Sequence, residues 1–196
     1  MKSISRLITF KILLLGHFLI LTYSCEVSEP AQNPDYTGQI GEVTDIEGNV
    51  YKTIGIGSQI WMSQNLKTTI LNDGIIIPQV TGDTNWIRLK TSGYCWYNND
   101  SSKLMKSYGL LYNFYAVNTS LLCPTGWHVP NELEWDDLAS FLGGNEKAGG
   151  KLKDYYGNYW DGPNPCFANN YGFNALPGGY RMHYTGKFLE IGTKGY

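Results

Sequence analysis

The sequence has 196 residues, a formal net charge of −2 and 16% charged residues. This length is that of one ordinary domain, and the acidic balance excludes nucleic-acid binding, which needs clustered Lys and Arg to neutralise phosphates. The 23 glycines and 15 tyrosines predict many turns and short strands. Together with the few charges they exclude a coiled coil or a long disordered chain.

The first residues have the layout of a secretory signal peptide. Lys2, Arg6 and Lys11 precede an apolar run at 12–21, the usual order of a basic leader and an apolar core. The run of about ten residues is shorter than the roughly 20 that a membrane-spanning helix needs. The alternative is an ordinary buried helix, but the run has almost no polar residues to form a solvent-facing side. We therefore predict that residues 1–24 are a signal peptide.

The leader ends in Leu21-Thr22-Tyr23-Ser24-Cys25, which resembles the lipobox of bacterial lipoproteins. In those proteins the cysteine thiol receives diacylglycerol and the peptide is cut just before it. Ser24 fits the small residue required there, whereas Thr22 and Tyr23 depart from the usual pattern, as in the relaxed lipoboxes of Bacteroidetes. The resemblance implies lipidation of Cys25 and an outer-membrane anchor, with the protein in the periplasm or at the cell surface. The alternative is plain cleavage and a soluble secreted product.

A short tether follows the leader. Residues 25–37 are rich in Glu, Pro, Asn and Gln and contain one aliphatic residue, Val27. Such a composition cannot bury a core, so it predicts a flexible segment. The folded domain is therefore expected to occupy residues 38–196.

Strands are predicted mainly from alternation and turns. Residues 50–54 alternate in the manner of a half-buried strand, and turn residues at 47–49 and 55–58 predict paired strands within 43–62. Further predicted elements are loop over most of 69–92, a short aromatic strand at 94–97, a turn at 98–102, a strand at 173–176, a turn at 177–179 and a hairpin at 180–191 turning at Gly186.

The clearest helix is predicted after Pro130. Asn131 is a good N-cap, and Glu134 stands at the position that completes a capping box. The apolar stripe of this helix comprises Trp135, Leu138, Phe141 and Leu142. The glycines at 143–144 end it, and Asn145 is expected to cap a second helix that runs to residue 151 or 152.

Three cysteines lie beyond Cys25, namely Cys95, Cys123 and Cys166. Exported compartments permit disulfides. Because the number is odd, at least one thiol lacks a partner within this set. The cysteines and histidines have neither C-x-x-C nor His-x₃-His spacing, so the sequence does not predict a zinc site.

Several phrases taken together resemble the Fibrobacter succinogenes major paralogous domain family of exported bacterial proteins, over about residues 43–196. They are Val50-Tyr51, Ile60-Trp61-Met62-x-x-Asn65-Leu66, Tyr97-Asn98-Asn99-Asp100, Tyr108-Gly109-x-Leu111-Tyr112-Asn113, Cys123-Pro124-x-Gly126-Trp127-His128-Val129-Pro130, Glu134-Trp135, Ala148-Gly149-Gly150-Lys151-Leu152-Lys153 and Gly172-Phe173-x-Ala175-Leu176-Pro177-Gly178-Gly179-Tyr180-Arg181.

A more distant similarity links two of these phrases to formylglycine-generating enzymes and their C-type-lectin-like relatives. The phrases are Trp127-His128-x-Pro130 with Glu134-Trp135, and Gly178-Gly179-Tyr180-Arg181. This similarity implies an α+β fold, in which a twisted antiparallel sheet is flanked by one or two helices and long loops.

The family resemblance also carries an expectation about the C-terminus. Family members usually continue with a Trp-Ser-Ser phrase, further strands and a terminal Arg-Cys, whereas this sequence ends at Lys194-Gly195-Tyr196. The resemblance therefore implies a C-terminally truncated domain. It also implies that Cys123 would pair with the missing terminal cysteine, which leaves Cys95 and Cys166 as the candidate internal disulfide.

The residues that would serve catalysis have plainer interpretations. His128 stands next to a helix start, and the acids of the following helix are expected in its first turns because of the helix dipole. The sequence contains no Gly-x-Ser-x-Gly, P-loop or His-Glu-x-x-His motif. Formylglycine-generating enzymes bind copper through two cysteines near the C-terminus, and no cysteine follows Cys166. We therefore expect no catalytic residue, metal or cofactor.

One loop is a candidate binding surface. Its proposed ligand-binding residues are Tyr155, Tyr156, Asn158, Tyr159, Trp160 and Asp161. Aromatic faces stack on the C–H faces of sugars, while amides and carboxylates bind hydroxyls. The alternative is that the rings pack on the sheet and brace a long loop, and the family resemblance implies that Trp160 is structural.

The sequence as a whole predicts a lipid-anchored, non-enzymatic surface module of the cell envelope. Its expected partners are the membrane, through the lipid, and either polysaccharide or another envelope protein, with a role in capture or adhesion. The alternatives are a structural component of the envelope without a small ligand, or an enzyme on a formylglycine-generating-enzyme-like fold.

Overall fold

Three antiparallel strands form the N-terminal sheet, in the order β1-β2-β3. They are β1 (Ile40–Thr44), β2 (Val50–Ile56) and β3 (Gln59–Met62). The paired strands predicted within 43–62 are confirmed, and β1 begins earlier than expected, at Ile40. The computed structural model describes residues 33–102, 107–154, 158–161, 169 and 171–195.

The first hairpin is closed by Asp45. Its Oδ1 accepts hydrogen bonds from the backbone N–H groups of Glu47 at 3.0 Å and Asn49 at 2.8 Å. Its Oδ2 accepts from the Tyr51 hydroxyl at 2.7 Å. A short acidic side chain that bonds its own backbone stabilises a tight turn, so the turn predicted at 47–49 is fixed by Asp45, two residues before it.

The chain already pairs with β2 ahead of the predicted domain boundary at residue 38. The backbone N–H of Tyr36 donates to the Gly57 carbonyl at 2.7 Å, and the Thr37 hydroxyl accepts from Gly57 N–H at 2.9 Å. The approach is so close that a Cβ on Gly55 would lie 1.8 Å from the Tyr36 carbonyl oxygen. Tyr36 and Thr37 therefore belong to the folded unit, which extends from Asn33 onward.

The middle of the chain carries short elements that sequence patterns did not resolve. They are α1 (Asp83–Arg88), β4 (Tyr94–Cys95), a 3-10 helix (Tyr97–Asn99), β5 (Leu111–Tyr112) and α2 (Phe114–Val117). The prediction of loop over most of 69–92 missed α1, because a single buried residue, Trp86, gives no helical periodicity. The strand predicted at 94–97 is shorter than expected, since the chain turns into the 3-10 helix after Trp96.

The two predicted helices after Pro130 are confirmed as α3 (Glu132–Phe141) and α4 (Asn145–Leu152). The capping box of α3 is present in both directions, between Asn131 and Glu134. Leu138 and Leu142 of the predicted stripe are buried, whereas Trp135 and Phe141 at its edges are 44% and 45% exposed. The N-cap of α4 is Gly144 rather than the predicted Asn145, which is the first helical residue.

The C-terminal hairpin consists of β6 (Gly178–Arg181) and β7 (Phe188–Ile191). The hairpin predicted at 180–191 is confirmed, but the turn predicted at 177–179 is wrong because Gly178 pairs with Ile191. The strand predicted at 173–176 is also wrong. Its Ala175 forms one isolated parallel bridge with Lys153, and Phe173 and Ala175 pack against the core cluster of sheet and helices instead of joining a ladder.

The largest core cluster joins the N-terminal sheet to α3 and α4. Its buried residues are Ile54, Ile56, Trp61, Leu138, Leu142, Ala148 and Leu152. Two smaller clusters are centred on Leu71, Ile77 and Leu122, and on Val80, Trp86 and Cys95. The sheet and the helix pair are therefore packed into one unit, which fixes the positions of the segments that follow them.

The fold is mixed α+β, with small antiparallel sheets and few helices. Within the described ranges the strands form one three-stranded and two two-stranded sheets, rather than the single twisted sheet expected from the resemblance. In the same ranges, every helix is too short or too polar to span a bilayer.

Candidate functional site

A polar cleft of about 370 Å³ lies beside the N-terminal sheet. Its sheet side is formed by Val50, Tyr51, Lys52, Ser63, Gln64, Asn65 and Lys67, and its loop side by Ser107, Asp154, Tyr159, Asn174 and Leu176. The volume falls within the range of about 300 to 1,000 Å³ that is typical of small-ligand sites. A sugar residue therefore fits the cleft by size.

The sheet side is held in place by backbone pairing and a buried tyrosine. The Tyr51 hydroxyl donates to Asp45 and accepts from the backbone N–H of Lys67 at 3.1 Å. Burial, followed by the hydrogen bond to Asp45, raises the pKa of Tyr51 far above its ordinary value. Tyr51 is therefore neutral throughout the physiological range and acts as a fixed link between β2 and the segment after β3.

Two amide side chains on the sheet side have one polar group fixed and another available. The Oε1 of Gln64 accepts from the backbone N–H of Lys52 at 2.8 Å, and the Nδ2 of Asn65 donates to the Tyr108 carbonyl at 2.8 Å. Nε2 of Gln64 and Oδ1 of Asn65 have no hydrogen-bond partner among the described residues. The cleft thus offers one amide donor and one amide acceptor of defined position to a ligand hydroxyl.

Tyr159 brings an aromatic ring to the loop side. Its ring meets the ring of Tyr108 edge-on, with centroids 5.7 Å apart. Burial raises the pKa of Tyr108, and the nearby Tyr159 and Asp161 add to that rise. Because Tyr108 also accepts the hydrogen bond from Asn65, the aromatic ring and the amide are positioned by one residue.

The other predicted loop residues are placed differently. The Trp160 indole N–H donates to the Ala175 carbonyl at 3.0 Å, and Lys153 Nζ lies 4.1 Å from its ring centroid. Trp160 therefore braces the loop, the alternative raised from sequence. Asn158 and Asp161 are exposed and do not line the cleft. Tyr155 and Tyr156 lie outside the described residues.

Sequence reasoning found Tyr159 but missed its neighbours in the cleft. The other polar residues include Gln64, Asn65, Asn174, Lys52 and Lys67. They come from two segments separated by more than a hundred residues, so no local pattern joins them. Asn65 stood in a phrase that carried the family resemblance. That phrase was the one signal available, and nothing in it indicated a cleft.

His128 is part of a helix cap. Its Nε2 lies 2.6 Å from Glu134 Oε1, while Glu134 Oε2 accepts from Asn131 N–H at 2.8 Å. The hydrogen bond from Asn131, followed by that from His128, lowers the pKa of Glu134. His128 therefore bonds the capping carboxylate rather than a backbone group. Across the described part of the chain, no three His, Cys, Asp or Glu side chains are grouped to hold a metal ion.

The cysteines are described in part. Cys95 is fully buried and Cys123 is half-buried, and neither is bonded to another described cysteine. Burial raises the pKa of both, although Arg181 beside Cys95 opposes that rise. The suggested partner Cys166 and the lipidation residue Cys25 lie outside the described residues, so the Cys95–Cys166 pairing stays a prediction.

The chain is a small α+β module, and its described residues form a polar cleft to which Tyr159 brings an aromatic ring. The chain matches the model of the Fibrobacter succinogenes major domain over residues 54–196. Because the match covers well over half of the 196 residues, the chain belongs to the Fibrobacter succinogenes major domain family. No curated protein and no solved structure is significantly similar to it.

Proposed function

We propose that the protein is a non-enzymatic module of the cell envelope that binds polysaccharide in the cleft and so supports capture or adhesion. The observation that carries the proposal is the position of Tyr159 in one cleft with Gln64 and Asn65. The bonds of Gln64 Oε1 and Asn65 Nδ2 fix these two side chains and leave Gln64 Nε2 and Asn65 Oδ1 for a ligand. Sugar sites combine an aromatic face for the ring with placed polar groups for the hydroxyls.

The composition of the cleft supports binding without hydrolysis. A glycosidase with paired carboxylates needs two acids about 5 to 9.5 Å apart on either side of the sugar bond. Among the described residues that line the cleft, Asp154 is the one carboxylate. The proposed role is therefore recognition, with neither metal nor cofactor.

Location is part of the proposal. The basic leader, its short apolar core and Cys25 support export and attachment of the protein to the outer membrane through a lipid. The proposal also includes a C-type-lectin-like arrangement of the sheets and α3. It is supported by the Trp-His-x-Pro and Gly-Gly-Tyr-Arg phrases, which lie at the start of α3 and in β6.

The test is a glycan array probed with the full-length protein in neutral detergent. We expect binding to plant or host polysaccharides that is lost in Tyr159→Ala and retained in Tyr159→Phe, because the ring is the stacking element. Tyr184→Ala is the matched control, since Tyr184 is an exposed tyrosine that does not line the cleft. Binding unaffected by Tyr159→Ala would place the sugar site outside the cleft, and no binding at all would favour a structural component of the envelope.

A further inference from the structure

Among the described residues, the charged ones that line the cleft are two lysines and one aspartate. Lys52 and Lys67 belong to the sheet side and Asp154 to the loop side. The chain as a whole carries a formal charge of −2, so the charge balance of the cleft is opposite to that of the protein. A concave site with an excess of charge of one sign raises the local concentration of ions of the other sign.

Both ammonium groups are available to a ligand. Within the part of the chain that the structure describes, neither lysine forms an ion pair. Of the acids in the adjacent hairpin, Glu42 lies opposite Lys52 in the β1–β2 register but forms no ion pair with it among the described residues. Both oxygens of Asp45 accept hydrogen bonds within its turn. Glu47 accepts from the hydroxyls of Thr68 at 2.9 Å and Thr69 at 2.7 Å.

The backbone that carries the two lysines is fixed. Lys52 pairs with the segment after β3, since its N–H donates to Gln64 and its carbonyl accepts from Ser63 N–H at 2.9 Å. Lys67 donates its N–H to the Tyr51 hydroxyl, and its Nζ lies 5.8 Å from the centroid of the Tyr51 ring. The lysines therefore rise from defined points on one side of the cleft.

We propose that the cleft selects acidic polysaccharides, in which an anionic group on the sugar contacts Lys52 and Lys67 while the sugar ring packs on Tyr159. This inference rests on the proposed function and narrows its ligand class. The amide groups of Gln64 and Asn65 would bind the ring hydroxyls, as they would for a neutral sugar. The charge of the ligand is recognised by the lysines.

The test compares polymers that differ in charge alone. Polygalacturonate and its methyl ester share one backbone, and dextran sulfate and dextran form a second pair in which the anion is a sulfate. We expect full-length protein in neutral detergent to bind at least one anionic polymer about tenfold more tightly than its neutral counterpart, because each exposed ion pair contributes up to about fivefold. The pair that shows the difference identifies the anion.

The double variant Lys52→Gln/Lys67→Gln should lose that difference, and Lys52→Arg/Lys67→Arg should keep it. Lys90→Gln, a change of an exposed lysine outside the cleft, should bind like the parent. Raising the ionic strength from about 0.01 M to 0.15 M shortens the screening length from about 30 to 8 Å. The parent should therefore weaken more with salt than the double Gln variant.

The outcomes separate this inference from the function on which it rests. Binding that needs Tyr159 but is equal for charged and neutral polymers, or that is unchanged in the double Gln variant, overturns the inference and leaves polysaccharide binding intact. Failure of every polymer to bind overturns both.

Discussion

Arg181 donates from Nη2 to Asp83 Oδ1 at 3.1 Å, which joins strand β6 to the first turn of α1. The two residues are 98 positions apart in the sequence. The Arg181 side chain is fully buried, whereas that of Asp83 is partly exposed and also meets Lys187. The Arg181 guanidinium lies between the rings of Trp86 and Phe188.

Replacing Arg181 by methionine should destabilise the fold by about 3 kcal/mol or more. The guanidinium also donates to the carbonyls of Val80, Thr81 and Gly186. The Thr81 carbonyl keeps a second donor, Asn99 Nδ2, but the buried carbonyls of Val80 and Gly186 would each lose their side-chain donor, at about 1 to 3 kcal/mol apiece. Urea unfolding followed by tryptophan fluorescence measures the change. Arg88→Met, at the exposed end of α1, is the control and should cost less than about 1 kcal/mol. Equal effects would show that the buried bonds of Arg181 do not hold the two elements together.

The Asp83 carboxylate should make stability depend on pH in the acid range. The hydrogen bond from Lys187, followed by that from Arg181, lowers the pKa of Asp83. Because the folded-state pKa lies below the unfolded value of about 3.9, this stabilisation is complete above that value. It is lost as the pH falls through the folded-state pKa.

Asp83→Asn should therefore lower the urea midpoint at pH 7 and have progressively less effect as the pH is lowered towards about 2, because Asp83 then becomes protonated in the folded state as well. Urea midpoints of parent and variant between these two pH values give the comparison. Asp137→Asn, an exposed acid on α3, controls for the loss of one negative charge. A constant difference between parent and Asp83→Asn across the range would contradict the assignment.

The apolar stripe of α3 predicts that substitutions at the neighbouring positions Asp137 and Leu138 differ strongly in their effect on stability. Leu138 is 1% exposed and belongs to the largest core cluster, whereas Asp137 is exposed on the same helix. Leu138→Ala should cost about 2 to 5 kcal/mol through lost burial and the cavity left behind. Asp137→Ala should change stability by less than about 0.5 kcal/mol. Urea unfolding of both variants is the measurement, and two small, equal effects would place the core elsewhere.

Local signals predicted the elements that depend on local contacts. The α3 cap needs only Asn131 and Glu134, three residues apart, and the first hairpin needs only Asp45 and its turn. At the glycines at 178 and 179 the local signal misled. A Gly-Gly pair usually marks a turn, but both glycines belong to strand β6. In the fold, a Cβ on Gly179 would lie 2.5 Å from the Leu189 carbonyl oxygen, so glycine is required by close packing within a hairpin.

The candidate site could be predicted only in part for the same reason. Tyr159 lies in an aromatic loop that is visible in the sequence, and this loop was the basis of the binding hypothesis. Its place in a cleft depends on Tyr108, Asn65 and the sheet side, which are brought together by tertiary packing. Trp160 stood beside Tyr159 among the candidate ligand-binding residues, although the family resemblance implied a structural role for it. The bond to Ala175 supports that structural role.

Lipidation of Cys25 is tested in cells. The leader predicts that the protein incorporates radiolabelled palmitate when expressed in a bacterium that processes lipoproteins, because acylation would follow cleavage before Cys25. Cys25→Ala should abolish the label, and Cys123→Ala should leave it unchanged. An unlabelled protein that retains Met1 would remove the support for export.

Substitutions at Tyr159 and Trp160 should affect different properties, namely polysaccharide binding for Tyr159 and stability for Trp160. Trp160→Phe keeps a ring but removes the N–H that donates to Ala175, so it should cost about 1 kcal/mol, the net value of one such hydrogen bond. Polysaccharide affinity should stay within about twofold of the parent, because Trp160 does not line the cleft. Tyr159→Phe should keep binding by retaining its ring, whereas Tyr159→Ala should remove it. Thermal unfolding and a polysaccharide-binding titration on the same preparations give both quantities. A Trp160→Phe variant of parental stability that no longer binds would make Trp160 a ligand contact and would contradict its assignment as a brace.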